Sequence, residues 1–181
     1  MKLAKSNLLP EYAAVLTTQE YGAKPRIQGV ELKEGKSFIS DDGLFCELLR
    51  ITDGQLELWP EFEPRQISYS EVEPGAKKAF HLQFDQEDVW MVPPDKRMLV
   101  VLHDARHDSS TAKVTMRLVL GGGKAQALLI PRGVAHGCAN IWTEPSSLIY
   151  ATNAQFNAAE PDEHRLPWDF LGEDVWQMTK G

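Results

Sequence analysis

Two of the five histidines in the 181 residues sit in apolar surroundings. His81 lies in Ala79-Phe80-His81-Leu82-Gln83, and His136 in Val134-Ala135-His136-Gly137-Cys138. Imidazole is the side chain whose ordinary titration falls near neutral pH. A histidine in such a setting is either a satisfied core residue or a group that moves protons or binds a metal. His103, His107 and His164 stand among charged or turn residues and are expected to be solvated. In Ser147 to Thr152, strand alternation puts Leu148, Tyr150 and Thr152 on one face and Ile149 and Ala151 on the other. A buried tyrosine needs a partner for its hydroxyl, which is either a ligand or a backbone carbonyl. Lys77 and Lys78 come just before His81, as a solvated basic pair at a strand start or as a contact for an anion.

Strands must position these groups, because turn signals recur at short intervals: Asp42-Gly43, Asp53-Gly54, Pro74-Gly75, Pro93-Pro94, Gly121-Gly122-Gly123 and Pro131-Arg132-Gly133. Leu44 to Ile51 reads as one alternating strand with Phe45, Leu49 and Ile51 on one face. Val114 to Leu120 alternates as well. Met98 to Leu102 and Ala127 to Ile130 are unbroken apolar runs, as expected of strands covered on both sides. Many short strands with little helical periodicity argue for an all-β sandwich or barrel. Helix signals are confined to the ends, where Pro10, Glu11, Tyr12, Val15 and Leu16 predict a short helix with proline in its first turn. Pro161 to Gly172 predicts a packed irregular tail.

Acidic residues exceed basic ones by 26 − 19 = 7, which disfavours a nucleic-acid partner. Apolar residues at 43% and charged residues at 25% are ordinary globular usage and exclude a disordered or fibrous chain. The two cysteines, Cys46 and Cys138, are too few for a disulfide scaffold and suit buried free thiols in a reducing cytoplasm. No stretch has the length of a signal peptide's apolar region or of a membrane span, so a soluble, unexported protein is expected.

Two pieces of sequence carry more. The first reads Gly75-x5-His81-x-Gln83-x3-Glu87 and the second Pro131-x-Gly133-x2-His136-x3-Asn140. Together they resemble the two-part signature of the cupin superfamily, with His81-x-Gln83 where metal-binding members have His-x-His. Ala79-Phe80-His81-Leu82-Gln83 is similar to the Arg-Gly-Leu-His-aromatic-Gln motif of the dTDP-4-dehydrorhamnose 3,5-epimerases, metal-free cupins that act on nucleotide-linked 4-keto sugars. Asp42-Gly43-Leu44-Phe45-x-Glu47, Gln66-x-Ser68-x-Ser70, Asp104-x-Arg106-x-x-Ser109-x-Thr111, the segment from Ile130 to Gly137, Tyr150 and the tail tryptophans Trp168 and Trp176 follow in the family's order over roughly residues 28 to 178.

The resemblance implies an all-β, cupin-type jelly-roll barrel over residues 28–157, with an N-terminal extension over 1–27 and a C-terminal tail over 158–181 packed on it. It implies epimerisation at C3, C5 or both of a nucleotide-linked 4-keto-6-deoxy sugar, in deoxysugar or cell-surface polysaccharide biosynthesis, with no cofactor and no metal. His81 inherits the role of the base that removes the proton beside the keto group. Tyr150 inherits that of the acid returning a proton to the opposite face. Substrate contacts fall on Lys78, Gln83, Gln66, Glu47, Phe45, His136, Arg106 and Phe156, with Lys78 at the position of an arginine that meets the diphosphate. A homodimer is implied, since the family builds its nucleotide site with help from a neighbouring subunit.

Some of the family's pattern is missing. Its Gln-x-Lys, whose lysine helps hold the enolate oxygen, falls on Glu87-Asp88-Val89, so the expectation is either a replacement cation, Lys77 or Arg97, or a substrate different from the family's usual one. The family's C-terminal aspartate, which orients the base, has no match among the 181 residues. Two other functions are compatible with the residues. One is a metal cupin, a dioxygenase or isomerase with His81, Gln83, Glu87 and His136 as ligands of iron or manganese. The other is a sugar-nucleotide-binding cupin without turnover.

Overall fold

The computed structural model describes residues 2–19 and 21–179. Its strands are β1 (Glu31–Glu34), β2 (Ser37–Ser40), β3 (Gly43–Cys46), β4 (Ile51–Thr52), β5 (Gln55–Leu56), β6 (Gln66–Val72) and β7 (Lys77–Leu82). They continue with β8 (Asp88–Met91), β9 (Arg97–Asp104), β10 (Thr115–Gly121), β11 (Gln126–Ile130), β12 (Val134–Ala139), β13 (Ser146–Thr152) and β14 (His164–Arg165). Two five-stranded antiparallel sheets, in the orders β1-β11-β8-β13-β6 and β10-β9-β12-β7-β14, face each other as a jelly roll. The remaining strands form the short ribbons β2-β3 and β4-β5.

Three apolar clusters explain the hydrophobic pattern. Between the sheets lie Trp90, Met98, Val100, Leu102, Leu120, Leu128, Ile130, Val134 and Leu148. The outer face of the first sheet, with Val89, Met91, Ala127 and Ala151, is covered by Leu56, Trp59 and Phe62. The outer face of the second, with Phe80, Leu99, Val101 and Ala135, is covered by Trp176 and by Leu166, Leu171 and Val175 of the tail. Strands β9 and β11 are thus buried on both faces, which is why Met98 to Leu102 and Ala127 to Ile130 read as unbroken runs. Each large side chain so buried contributes roughly 1.5–3 kcal/mol.

The ends follow the sequence expectation in type. A helix, α1 (Pro10–Val15), opens with proline in its first turn, although Tyr12 and Val15 stay exposed. The tail is irregular, ending in a 3-10 turn over Glu173–Trp176. One expectation fails: Leu44 to Ile51 is not a single strand. Strand β3 stops at Cys46 and β4 starts at Ile51. The β2-β3 ribbon and the β4-β5 ribbon lie outside the two main sheets, leaving Phe45 of the first and Ile51 of the second exposed, while Leu49 between them packs on the outer cluster. An off-barrel ribbon has no single core face, so alternation along the stretch does not persist as one pleat. Cys46 is accordingly only half-buried, whereas Cys138 is buried in the barrel.

The pairing of β7 with β12 carries the feature that matters most for chemistry. His136 faces His81, but Cys138 faces Lys78, so Ala79 and Phe80 oppose the single residue Gly137. Residues three apart in a regular strand point to opposite faces. The extra residue of this β-bulge returns both Lys78 and His81 to the barrel interior, while Phe80 turns outward into the tail cluster.

Candidate active site

One end of the barrel opens into two cavities that share Gln83, Gln86, Tyr150 and Glu163. The inner one, of about 120 Å³, is lined by Lys78, His81, Asp88, Trp90, His136 and Cys138 among others. The outer one, of about 270 Å³, is lined by Gln66, Thr152, Gln155, Phe156, Asn157 and Glu160 among others.

His81 enters from β7, and its Nδ1 lies 3.3 Å from Glu163 Oε1. Glu163 is delivered by the tail, which is pinned at that point: Asp162 accepts the backbone N–H groups of Phe84, Asp85 and Gln86 at 2.7–2.9 Å, and His164 packs on Phe84. The tail then pairs with β7, Arg165 opposite His81, and Arg165 bonds the same Glu163 carboxylate at 2.6 Å. Glu163 therefore sets a carboxylate beside His81 Nδ1 and shares it with Arg165. Burial lowers the His81 value from that of an ordinary imidazole, and the nearby His136 adds to this, with Glu163 pulling the other way.

His136 is 2% exposed. Its Nδ1 faces the Val134 carbonyl at 2.9 Å and its Nε2 lies 3.6 Å from Asp88 Oδ2. Gly133, at φ 72°, makes the tight turn into β12 that sets the register of this histidine. Asp88 is 5% exposed and accepts bonds from Gln86 Nε2 at 2.7 Å and Trp90 Nε1 at 3.0 Å. Burial works against its charge, but His136, Trp90 and Gln86 together outweigh that and hold the carboxyl below its ordinary value. The rings of His81 and His136 stack with centroids 6.2 Å apart.

Tyr150 enters from β13, in the sheet opposite His81, and lines both cavities. Among the described residues no hydrogen bond occupies its hydroxyl, and no buried side-chain polar atom lacks a partner, so the hydroxyl is open to the cavity. The Lys78 ammonium donates to Ser70 Oγ at 2.6 Å and to the Glu71 carbonyl at 2.8 Å. Burial pushes the Cys138 thiol up to about 12, so it is inert.

Seven of the residues singled out from the sequence line the cleft: His81, Tyr150, Lys78, Gln83, His136, Gln66 and Phe156. Three do not. Arg106 is committed to Asp104, at 2.8 and 2.9 Å, and to the Gln28 carbonyl. Phe45 packs on Phe38 within the β2-β3 ribbon, and Glu47 pairs with Arg50 at 2.5 Å. The expected replacement cations are elsewhere too: Lys77 sits over the Trp168 ring, and Arg97 begins β9 beside Gly122. The four candidate metal ligands do not converge, since Glu87 is bonded by Asn153 and turned from the cavity. Among the described residues no three His, Cys, Asp or Glu side chains group as a metal site.

Asp88, Trp90 and Glu163 are additions that the sequence reading missed. Strand alternation over Asp88–Met91 could have placed Asp88 and Trp90 on one inward face. Nothing local marks Glu163 within a charged run.

Comparison with known proteins identifies the family. The family model for dTDP-4-dehydrorhamnose 3,5-epimerase matches residues 24–170. The chain belongs to the dTDP-4-dehydrorhamnose 3,5-epimerase family. The spore coat polysaccharide biosynthesis protein SpsL of Bacillus subtilis is 39% identical over 143 residues, covering 79% of this chain and 91% of that protein. The probable low-salt glycan biosynthesis epimerase Agl13 of Haloferax volcanii is 32% identical over 148 residues, covering 80% and 90%. The crystal structure of a dTDP sugar isomerase from Desulfovibrio desulfuricans superposes with a TM-score of 0.69 at 25% identity, covering 80% of this chain and 88% of that one.

Proposed function

We propose that this epimerase-family protein inverts C3, C5 or both of a nucleotide-linked 4-keto-6-deoxy sugar by proton transfer through an enolate. The observation that carries this reading is that His81 and Tyr150 project into one cavity from opposite sheets. Inversion requires a proton taken from one face of a planar enolate and returned on the other. With Glu163 Oε1 3.3 Å from His81 Nδ1, the carboxylate favours the tautomer protonated at Nδ1, in which Nε2 keeps its lone pair for the substrate. The carbon–hydrogen bond breaks toward that nitrogen, and its electron pair moves onto the keto oxygen. The Tyr150 hydroxyl then delivers its proton to the carbon's other face. The proton left on His81 and the phenolate left on Tyr150 neutralise each other through solvent.

The inner cavity takes the sugar. The outer one takes the nucleotide against Phe156 and Gln66, with Lys78 near the diphosphate. The exposed ribbon carrying Phe38, Ile39, Leu44 and Phe45 suits a homodimer in which Phe45 and Glu47 complete a neighbour's cleft. The two unpaired cysteines suit a reducing cytoplasm, and no described helix is long and apolar enough to cross a membrane.

The test is incubation with dTDP-4-keto-6-deoxyglucose in deuterated water, read by NMR. Deuterium at C3 or C5 with inversion is expected, and His81→Ala should abolish it. Tyr150→Phe should still form the enolate but reprotonate it from His81, giving exchange with little inversion. Tight binding of the nucleotide sugar without exchange would instead establish the binding-protein function.

A further inference from the structure

The structure lacks, in the inner cavity, the lysine that the family pattern assigns to the enolate oxygen, and neither Lys77 nor Arg97 replaces it. What the cavity has instead is a buried acid and a buried histidine in contact. We propose that His136, clamped between Asp88 and the Val134 carbonyl, is the cation that holds the enolate oxygen; this rests on the epimerase reading above.

The argument begins with hydrogen-bond partners. The Val134 carbonyl 2.9 Å from Nδ1 can only accept, so Nδ1 carries a proton. Asp88 Oδ2, 3.6 Å from Nε2, belongs to a carboxyl already receiving Gln86 and Trp90. An ionised carboxylate only accepts, and at this ion-pair distance it favours a ring that carries a proton on Nε2 as well, which is the form we assign. An imidazole facing an acceptor at each nitrogen is an imidazolium, and Asp88 is its counter-charge.

At 3.6 Å the Nε2–H is attracted by Asp88 without being spent in a short hydrogen bond, which leaves it free to donate to an oxygen entering the cavity. The other charged or titratable groups lining this cavity are His81 and Lys78 from β7, Cys138 from β12, Tyr150 from β13 and Glu163 from the tail. Lys78 is the one competitor, but its ammonium is bound to Ser70 and the Glu71 carbonyl on the cavity wall. The His136 ring, stacked on the base, also has a second effect: its charge disfavours a proton on His81. One cation thus keeps the base free and meets the charge that the base creates. No atom is lost or gained: the oxygen takes a hydrogen bond from Nε2–H as the enolate forms and releases it when Tyr150 returns the proton to carbon.

Two measurements test this. In wild-type protein carrying 15N-histidine, His136 should show two protonated ring nitrogens at neutral pH, and Asp88→Asn should remove one of them. A bare nitrogen on wild-type His136 overturns the proposal whatever the substrate. In the deuterium-exchange assay, His136→Gln should lose on the order of 10²-fold in rate, the scale for one oxyanion donor, with dTDP affinity unchanged. Lys78→Met should weaken dTDP binding instead. Exchange at the wild-type rate in His136→Gln, or the exchange defect appearing in Lys78→Met, overturns the assignment while leaving the epimerase reading intact. A wild type that never exchanges hydrogen overturns both.

Discussion

At His81, burial and the His136 charge both disfavour a proton, with Glu163 and Asp88 opposing them. Their balance leaves the ring below its ordinary value of about 6.5, so the base is in its working form at neutral pH. Deuterium exchange should therefore hold steady around neutrality and fall only on acidification past that ordinary value. Glu163→Gln supplies a signed test. Removing a carboxylate that stabilises protonated His81 must move the acid limb of the rate profile to lower pH. The loss of an orienting partner should at the same time cut the plateau rate by roughly 10- to 100-fold. A merely structural Glu163 predicts a change in thermal stability with the limb unmoved, so the pH profile decides between the two.

At the scale of elements, the catalytic geometry depends on the bulge between β7 and β12, and that bulge needs a residue without a side chain opposite it. A Cβ on Gly137 would meet the Cβ of Ala79 and lie 2.9 Å from the Ala79 Cα and 3.0 Å from the Lys78 carbonyl. Backbone atoms cannot rotate away, so Gly137→Ala must spread the two strands. A cost of about 1–3 kcal/mol is expected, as for overpacking elsewhere, together with a fall in exchange rate as His81 and Lys78 shift. Chemical denaturation and the exchange assay would read the two effects separately. The elements themselves were largely legible: the apolar runs gave β9 and β11, alternation gave β10 and the inward side of β13, and the motif pieces gave His81, His136 and Tyr150. What alternation misread was residues 44–51, whose strand breaks where the ribbon leaves the barrel. It also passed over Glu163, because a residue brought to the base by a tail crossing β7 leaves no periodic trace. The same holds for the β7 bulge, which depends on a non-local pairing and is invisible in either strand alone.

For the whole molecule, the placement of Phe45 and Glu47 decides what kind of assembly the cleft belongs to. They lie on an exposed ribbon away from their own chain's cavities, although the family pattern makes them substrate contacts. Both facts hold together in a homodimer whose ribbons reach across, which light scattering should report as about twice the 20.3 kDa chain mass. A mixing experiment then distinguishes sharing from mere association. One chain carries His81→Ala, with a sound ribbon and a dead base. The other carries Phe45→Ala with Glu47→Ala, with a sound base and a defective ribbon. Each alone should be nearly inactive. In a mixed dimer one cleft combines both defects, but the other joins the intact base of the second chain to the intact ribbon of the first. Random pairing makes half the dimers mixed, with one good cleft in two, so co-refolded chains should recover about a quarter of wild-type exchange activity. Were each cleft built from a single chain, every cleft in the mixture would keep a defect and no activity would return. Recovery on mixing therefore measures the shared cleft directly; its absence in a verified dimer would mean that each cleft is built from one chain, whereas full activity of the Phe45→Ala, Glu47→Ala chain on its own would place both residues outside the reaction.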